Sequence, residues 1–152
     1  MAEEVSRLSY GHLVLNRIRD FVDGIRLRSD GPFSCRDPKK LGLVGEGLAC
    51  RELERRGYLI LERRARSRHG EIDIVARDGG TLVFVEVKTR RENRFGPARG
   101  AVSWRKQKKL VHLAQSYASR RSWMHMPIRF DIVGVDVDSR GEPSLEVIRD
   151  AF

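Results

Sequence analysis

The sequence predicts an α/β fold in which a mixed β-sheet is flanked by helices. Two segments carry apolar residues at helical spacing, and five short segments rich in branched apolar residues read as strands. Their order is helix, three strands, helix, two strands, so one strand-helix-strand crossover is expected. These observations together predict an α-β-β-β-α-β-β core with helices packed on the sheet.

The length and composition indicate one main domain with an N-terminal extension. The chain has 152 residues, of which 40% are hydrophobic and 34% charged, as expected of a globular protein. Residues 1–40 comprise a predicted amphipathic helix and a linker rich in Gly and Pro, GPFSCRDPKK, and residues 41–152 form the predicted domain. No run approaches the roughly 20 apolar residues of a membrane span, and no secretory signal is evident, so we expect a cytoplasmic protein without a membrane partner. The two cysteines lack the spacing of a zinc site or disulfide framework.

The first helix of the domain is predicted from Leu43 to about Arg56, with Gly57 as its C-terminal cap. Its apolar stripe consists of Leu43, Ala49, Cys50 and Leu53. Glu46 falls on the same stripe, because it lies three or four residues from Leu43, Ala49 and Cys50. The sequence therefore predicts that Glu46 faces the core or a cleft, and a margin position with partial exposure is the alternative.

Three strands are predicted next, over residues 58–64, 71–77 and 81–88, and DGG marks a tight turn between the last two. Alternation places Glu71, Asp73 and Val75 on one face of the second strand, and Glu86 with Lys88 on one face of the third. A hairpin loop with an even number of residues sets Asp73 opposite Phe84 or Glu86, and both carboxylates then emerge on the same side.

The second helix is predicted from about Ser103 to Arg120, and Gln107 lies three residues before Leu110 on its apolar stripe. Gln107 is therefore expected to point inward. Two further strands follow, over residues 128–137 and 144–150, with the turn signal DSRGEP between them.

The charge of the chain indicates a polyanionic partner. The formal net charge is +9, and nine Lys and Arg residues against the single acid Glu92 lie between Lys88 and Lys109. A nucleic acid is the expected partner, DNA more than RNA, although a solvated charged face is the alternative. The residues expected to contact phosphates are Arg90, Arg91, Arg94, Arg105, Lys106, Lys108 and Lys109.

Carboxylates within apolar sequence need a partner, because burial of an unpaired charge is costly. Asp73 and Glu86 are suited to hold Mg²⁺ or Mn²⁺, with the carbonyl of Val87 completing the shell and Glu46 acting through water or as a proton acceptor. Lys88 would orient the attacking water or stabilise the developing charge, and Gln107 would hold phosphate or water. A structural ion pair between Glu86 and Lys88 is the alternative.

Four segments of the chain resemble a known bacterial family. GEGLACRELERRGY, GEIDIVARDGGTLVFVEVKTR, FGPARGAVSWRKQKKL and RFDIVGV are similar to the YraN family, also called UPF0102, over about residues 41–150. That family is similar to archaeal Holliday junction resolvases and to the restriction-endonuclease-like superfamily. The resemblance implies a DNA substrate, Mg²⁺, and a site formed by Glu46, Asp73, Glu86 and Lys88. The chain departs from the family at ERRARSRH, where members often carry an Asn and a Trp, so the packing of the first strand is open.

Two classes of function follow from the sequence. The first is a metal-dependent endonuclease that hydrolyses DNA phosphodiester bonds, with branched or flapped structures among the candidate substrates. The second is a nucleic-acid-binding or ribosome-associated module that retains the nuclease fold without catalysis. A ribonuclease is a third alternative, and a homodimer is expected only by analogy with junction resolvases.

Overall fold

The computed structural model describes residues 37–91 and 102–152. The predicted N-terminal helix, the linker up to residue 36 and Arg94 lie outside these ranges. The described elements follow the predicted order of helix, three strands, helix and two strands. The helices are α1 (Pro38–Arg55) and α2 (Trp104–Ser119), and the strands are β1 (Leu59–Ser67), β2 (Gly70–Asp78), β3 (Thr81–Arg91), β4 (Ile128–Val137) and β5 (Pro143–Ile148).

Helix α1 begins at Pro38, five residues before the predicted start at Leu43. Asp37 caps the helix, because its carboxylate accepts a hydrogen bond from the Lys39 N–H at 2.9 Å. Proline suits the first turn of a helix, where its missing N–H is not needed. The Pro that the sequence analysis assigned to the linker therefore starts the helix instead.

The five strands form one mixed sheet in the order β1-β2-β3-β4-β5, which confirms the predicted fold class. All neighbours are antiparallel except β3 and β4, which are parallel and connected through α2. Asp78 pairs with Thr81 across the Gly79-Gly80 turn, and Gly79 has a φ of 57°, as a two-residue hairpin turn requires.

One helix covers each face of the sheet. On one face, Ala49, Cys50 and Leu53 of α1 pack on strand residues such as Ile74 and Val85. On the other face, Leu110, Leu113 and Tyr117 of α2 pack on Val75, Phe84 and Ile132, among others. Burial on both faces explains why the central strand, β3, is almost continuously apolar up to Glu86.

The β2–β3 pair separates partway along its length. Main-chain pairing between these strands ends at Ile74 and Val85, whereas β2 stays paired to β1 as far as Gly70 and β3 stays paired to β4 as far as Arg91. We call the opening beyond Ile74 and Val85 the fork. It lies in the middle of the sheet and is flanked by two paired wings, β1–β2 and β3–β4.

Strand β2 does not alternate regularly at the fork. Ile72 and Val75 both pack beneath α2, whereas Ile74 packs beneath α1. The prediction that the residues around Asp73 follow a simple two-residue alternation was therefore wrong. The neighbouring strand is irregular at the same level. Arg64 has a left-handed φ of 51° and lies between the paired positions Arg63–Ile74 and Ala65–Ile72.

Candidate active site at the fork

Asp73 lies at the fork, where its side chain, rather than its main chain, is hydrogen-bonded to β3. Its Oδ2 accepts a hydrogen bond from the Val87 N–H at 2.8 Å. Glu86 lies close enough for its negative charge to act on Asp73. The two predicted carboxylates are therefore neighbours, and Asp73 reaches the main chain of β3.

Glu86 lies under two lysines. Its side chain is 3% exposed, and its Oε1 accepts a hydrogen bond from Lys88 Nζ at 2.7 Å. Its Oε2 lies 3.1 Å from Lys106 Nζ, in a contact that lacks the angles of a hydrogen bond. Both lysine side chains keep about a third of their surface exposed, at 30% and 36%, so their ammonium groups can also meet a ligand from solvent.

The role of Lys106 in this cluster was missed from sequence, where it was predicted only to contact phosphates. Lys106 lies on α2 four residues before Leu110, which is buried against the sheet. Residues four apart share a face of a helix, so this spacing could have indicated that Lys106 reaches the sheet. The observed site thus has two lysines from two different elements.

The surroundings of Asp73 oppose its ionisation. Burial, and next the negative charge of Glu86, together raise the pKa of Asp73 to about 6. The Val87 hydrogen bond, Lys106 and Lys88 lower the pKa but do not cancel the effect. A cation bound beside Asp73 would reverse the balance and favour the ionised carboxylate.

Glu46 approaches the fork from α1. The helix lies close to β3 at Gly45, where an added Cβ would overlap Thr89 Oγ1 and lie 2.9 Å from Thr89 Cβ. The Glu46 side chain is 13% exposed, and its buried Oε2 has no hydrogen-bond partner within the described part of the chain. Burial raises the pKa of Glu46, and the charge of Asp73 adds to this effect.

Arg64 brings a further positive charge toward the acids. Its Nε donates a hydrogen bond to Glu71 Oε1 at 2.9 Å and lies 4.0 Å from Glu46 Oε2. Glu71 is also bonded by Arg66 Nε at 2.6 Å. Glu71 is therefore paired with two arginines. Within the described residues, by contrast, Glu46 Oε2 has no hydrogen-bond partner, and Asp73 accepts its hydrogen bond from an uncharged main-chain N–H. Arg64 could not be predicted from the sequence, because its left-handed backbone does not follow from its residue type.

The donor chemistry of the fork fits a hard divalent cation. Asp73 and Glu86 are adjacent carboxylates, and Glu46 contributes a buried oxygen that has no hydrogen-bond partner among the described residues. Mg²⁺ is commonly held by one or two carboxylates and several waters. Within residues 37–91 and 102–152, no group of three or more His, Cys, Asp or Glu is close enough to form a ready-made set of ligands. The predicted contribution of the Val87 carbonyl stays a prediction.

The other predicted site residues occupy varied positions. Gln107 is half-buried, and its Nε2 donates to the Val102 carbonyl at 3.1 Å, so its amide is bonded to the segment before α2. Arg105 and Lys108 are exposed, and Lys108 Nζ lies 4.9 Å from the centre of the Trp104 ring. Arg90 and Arg91 extend β3 beyond Lys88. Their contacts with phosphate stay predictions.

Comparison with known proteins identifies the family. The uncharacterised protein family UPF0102 matches residues 45–135. A UPF0102 protein of Geobacter sulfurreducens is 45% identical over 114 residues, which cover 75% of this chain and 89% of the relative. A UPF0102 protein of Symbiobacterium thermophilum is 44% identical over 114 residues, covering 75% of this chain and 97% of the relative.

A solved structure was also matched. Pyrococcus furiosus SfsA in complex with Ca²⁺ aligns with a TM-score of 0.38 and 17% identity, over 74% of this chain and 64% of that one. Separately, none of the helices described here is both long and apolar enough to span a membrane.

The fold and the fork define an α/β protein with a mixed sheet between two helices and an acidic site at the point where its central strands part. The chain belongs to the UPF0102 family, as its motifs indicated.

Proposed function

We propose that this protein is a metal-dependent endonuclease that hydrolyses phosphodiester bonds of DNA. The observation that carries the proposal is the fork, where Asp73 and Glu86 lie side by side beneath Lys88 and Lys106. Anionic oxygens for a divalent cation and ammonium groups for a phosphate then occupy one opening. Mg²⁺ or Mn²⁺ would supply Lewis-acid stabilisation of the phosphoryl oxygens at this point.

The carboxylates would hold the cation from two elements of the sheet. Asp73 belongs to β2 and Glu86 to β3, and the Val87 N–H fixes one Asp73 oxygen at the edge of β3. Because one oxygen is held, the other has a restricted range of positions. Glu46 would accept a proton from the attacking water, a role that suits a carboxylate whose pKa is raised.

The lysines would act on the phosphate. In this structure Lys88 and Lys106 neutralise the two oxygens of Glu86. When a cation takes over the neutralisation of Glu86, both ammonium groups become available to the oxygens of a phosphodiester. Lys88, which is fixed on the strand, would orient the attacking water or stabilise the growing charge, and Lys106 would hold the phosphate in place.

The proposal is tested by cleavage of labelled linear, flapped and branched DNA in the presence of Mg²⁺, Mn²⁺ or EDTA. Asp73→Asn and Lys88→Met preserve side-chain shape and are expected to lower the cleavage rate by about two orders of magnitude or more. Glu146→Gln on the exposed edge strand β5 and Lys40→Met on α1 are the matched controls. DNA cleavage in EDTA, or wild-type rates in both site variants, would contradict the proposal.

A second function is favoured by one observation. Both oxygens of Glu86 already meet lysines, as in a structural ion-pair network that serves binding without catalysis. A nucleic-acid-binding module, including a ribosome-associated one, would bind DNA or RNA and cleave neither with any divalent cation. RNA of the same sequences, assayed in parallel, also separates a deoxyribonuclease from a ribonuclease.

Light scattering with and without DNA would test the proposed homodimer.

A further inference from the structure

A cavity of about 460 Å³ lies between the β1–β2 turn and α2. Its volume is in the range of pockets that hold small ligands. It is lined by His69, Lys109, His112, Leu113 and Ser116. None of these five residues is acidic, and four carry groups able to donate a hydrogen bond. This composition suits an anionic ligand with a polar surface.

The side chain of Lys109 lies against Gly70 at one wall of this cavity. A Cβ added to Gly70 would lie 2.7 Å from Lys109 Cε and 2.9 Å from Lys109 Nζ. The exposed lysine side chain therefore passes close over the start of β2. Gly70 also has a φ of 146°, which favours glycine at this turn. The ammonium group thus lies beside the β1–β2 turn and stays accessible to a ligand.

His69, in the β1–β2 turn, can also donate a hydrogen bond. Arg68 Nε lies 2.8 Å from His69 Nε2 and donates a hydrogen bond to it. Since Nε2 accepts, the proton of the neutral ring resides on Nδ1. His112 and Ser116 supply further polar groups from α2, and Leu113 gives the cavity an apolar wall against which a sugar could pack.

The cavity lies along α2 from the fork. Lys106 and Lys109 are one turn apart, and Leu113 and Ser116 continue the same side of the helix. Lys106 contacts Glu86, whereas Lys109 contacts the β1–β2 turn. The helix rises about 4.5 Å from Lys106 to Lys109 and about 9 Å from Lys106 to His112. These rises correspond to about one to three nucleotides of a stacked strand.

We propose that this cavity is a second phosphate site, which binds the backbone of a nucleic-acid strand about one to three nucleotides from the phosphate at the fork. Lys109 is the principal contact, and His69, His112 and Ser116 donate hydrogen bonds. The inference rests on the proposed function in its choice of ligand. It adds the direction in which the strand leaves the fork, along α2 toward the β1–β2 turn.

The test measures binding in EDTA, so that cleavage does not contribute. Lys109→Met keeps the aliphatic stem beside Gly70 and removes the charge, and Lys40→Met is the matched control on the opposite face of the sheet. Fluorescence anisotropy with a labelled oligonucleotide is recorded between about 50 and 200 mM salt. We expect Lys109→Met to weaken binding several-fold and to reduce the slope of log K against log salt by about 0.7 to 0.9. Circular dichroism establishes that each variant is folded.

A length series gives a second readout. Oligonucleotides of increasing length compete for the wild type and for Lys109→Met and His112→Ala. The effect of both substitutions should be absent for a dinucleotide and appear once the strand is long enough to reach the cavity. If the wild type binds DNA but Lys109→Met matches Lys40→Met at every length, the cavity inference is wrong while the proposed function stands. If the wild type binds no nucleic acid either in EDTA or in Mg²⁺, both are wrong.

Discussion

At the scale of single residues, the site depends on a carboxylate placed where a main-chain pair would otherwise be. Asp73 accepts the Val87 N–H and lies beside Glu86, so its ionisation is opposed by burial and by a like charge. The sequence predicted that these acids are neighbours, from strand alternation and a two-residue turn. It could not predict that Asp73 replaces a ladder partner, because regular alternation of β2 breaks between Ile72 and Ile74.

Asp73→Asn should stabilise the protein at neutral pH. The pKa of Asp73 is about 6 when folded and near 3.8 when unfolded, so the folded chain binds more protons between these values. The unfolding free energy of the wild type should therefore fall as pH rises from about 4 to 6, by up to about 3 kcal/mol. Asparagine carries no charge and can still accept the Val87 N–H, so the variant should lack this fall. Urea unfolding across this pH range measures the difference.

The same variant provides a metal readout that is independent of activity. Mg²⁺ should raise the melting temperature of the wild type at neutral pH and should raise that of Asp73→Asn much less, because a ligand that binds only the folded state stabilises it. A variant that is less stable than the wild type at neutral pH, or that responds equally to Mg²⁺, would contradict the assignment of Asp73.

At the scale of elements, each helix and strand predicted within residues 37–91 and 102–152 is present, and the differences lie at ends and irregular points. Helix α1 starts at Pro38 because Asp37 caps it, and β2 loses its alternation beside Arg64. Helix α2 follows its prediction closely, with Ser103 as the N-terminal cap. Periodicity therefore predicted the elements, whereas the close approach of α1 to β3 depends on a tertiary contact that periodicity does not contain.

Two glycines of α1 give opposite predictions for the same substitution. Gly45→Ala should destabilise the protein by about 1 to 2 kcal/mol, because the new methyl group overlaps Thr89 and this overpacking exceeds the gain in helix propensity. Gly42 has no atom within 4 Å of an added Cβ, so Gly42→Ala should stabilise by about 0.5 to 1 kcal/mol. Urea unfolding of both variants measures the pair. Equal shifts in the same direction would show that α1 does not approach β3 so closely.

At the scale of the whole molecule, a polar network joins the start of β1, β4 and the C-terminal segment. Asp131 is buried and accepts hydrogen bonds from Tyr58 Oη at 2.9 Å, from Arg129 and from the Asp150 N–H at 3.0 Å. Beyond it, the Ala151 N–H donates to the Phe130 carbonyl at 2.8 Å. The sequence analysis did not anticipate this network, since it joins residues that are far apart along the chain.

Asp131→Ala should lower the free energy of unfolding by about 3 to 5 kcal/mol. The largely buried Arg129 would lose one of the two aspartates with which it pairs, and the Tyr58 hydroxyl would lose its acceptor. Asp131→Asn keeps the shape and one acceptor, so its effect should be smaller. Glu146→Ala, on exposed β5, is the control and should change stability by less than about 0.5 kcal/mol. Thermal and urea unfolding give the comparison, and similar losses for Asp131→Ala and Glu146→Ala would refute the structural role of the network.

The stacking of Lys88 and Lys106 over the acids at the fork has a thermodynamic consequence. A cation held by Asp73 and Glu86 and an anion held by the two lysines would be within a few ångströms, so each occupant screens the repulsion that the other would meet. Their binding equilibria are then linked, and by reciprocity the factor by which one raises the affinity of the other is the same in both directions. The protein would thus respond to the two ligands as a pair.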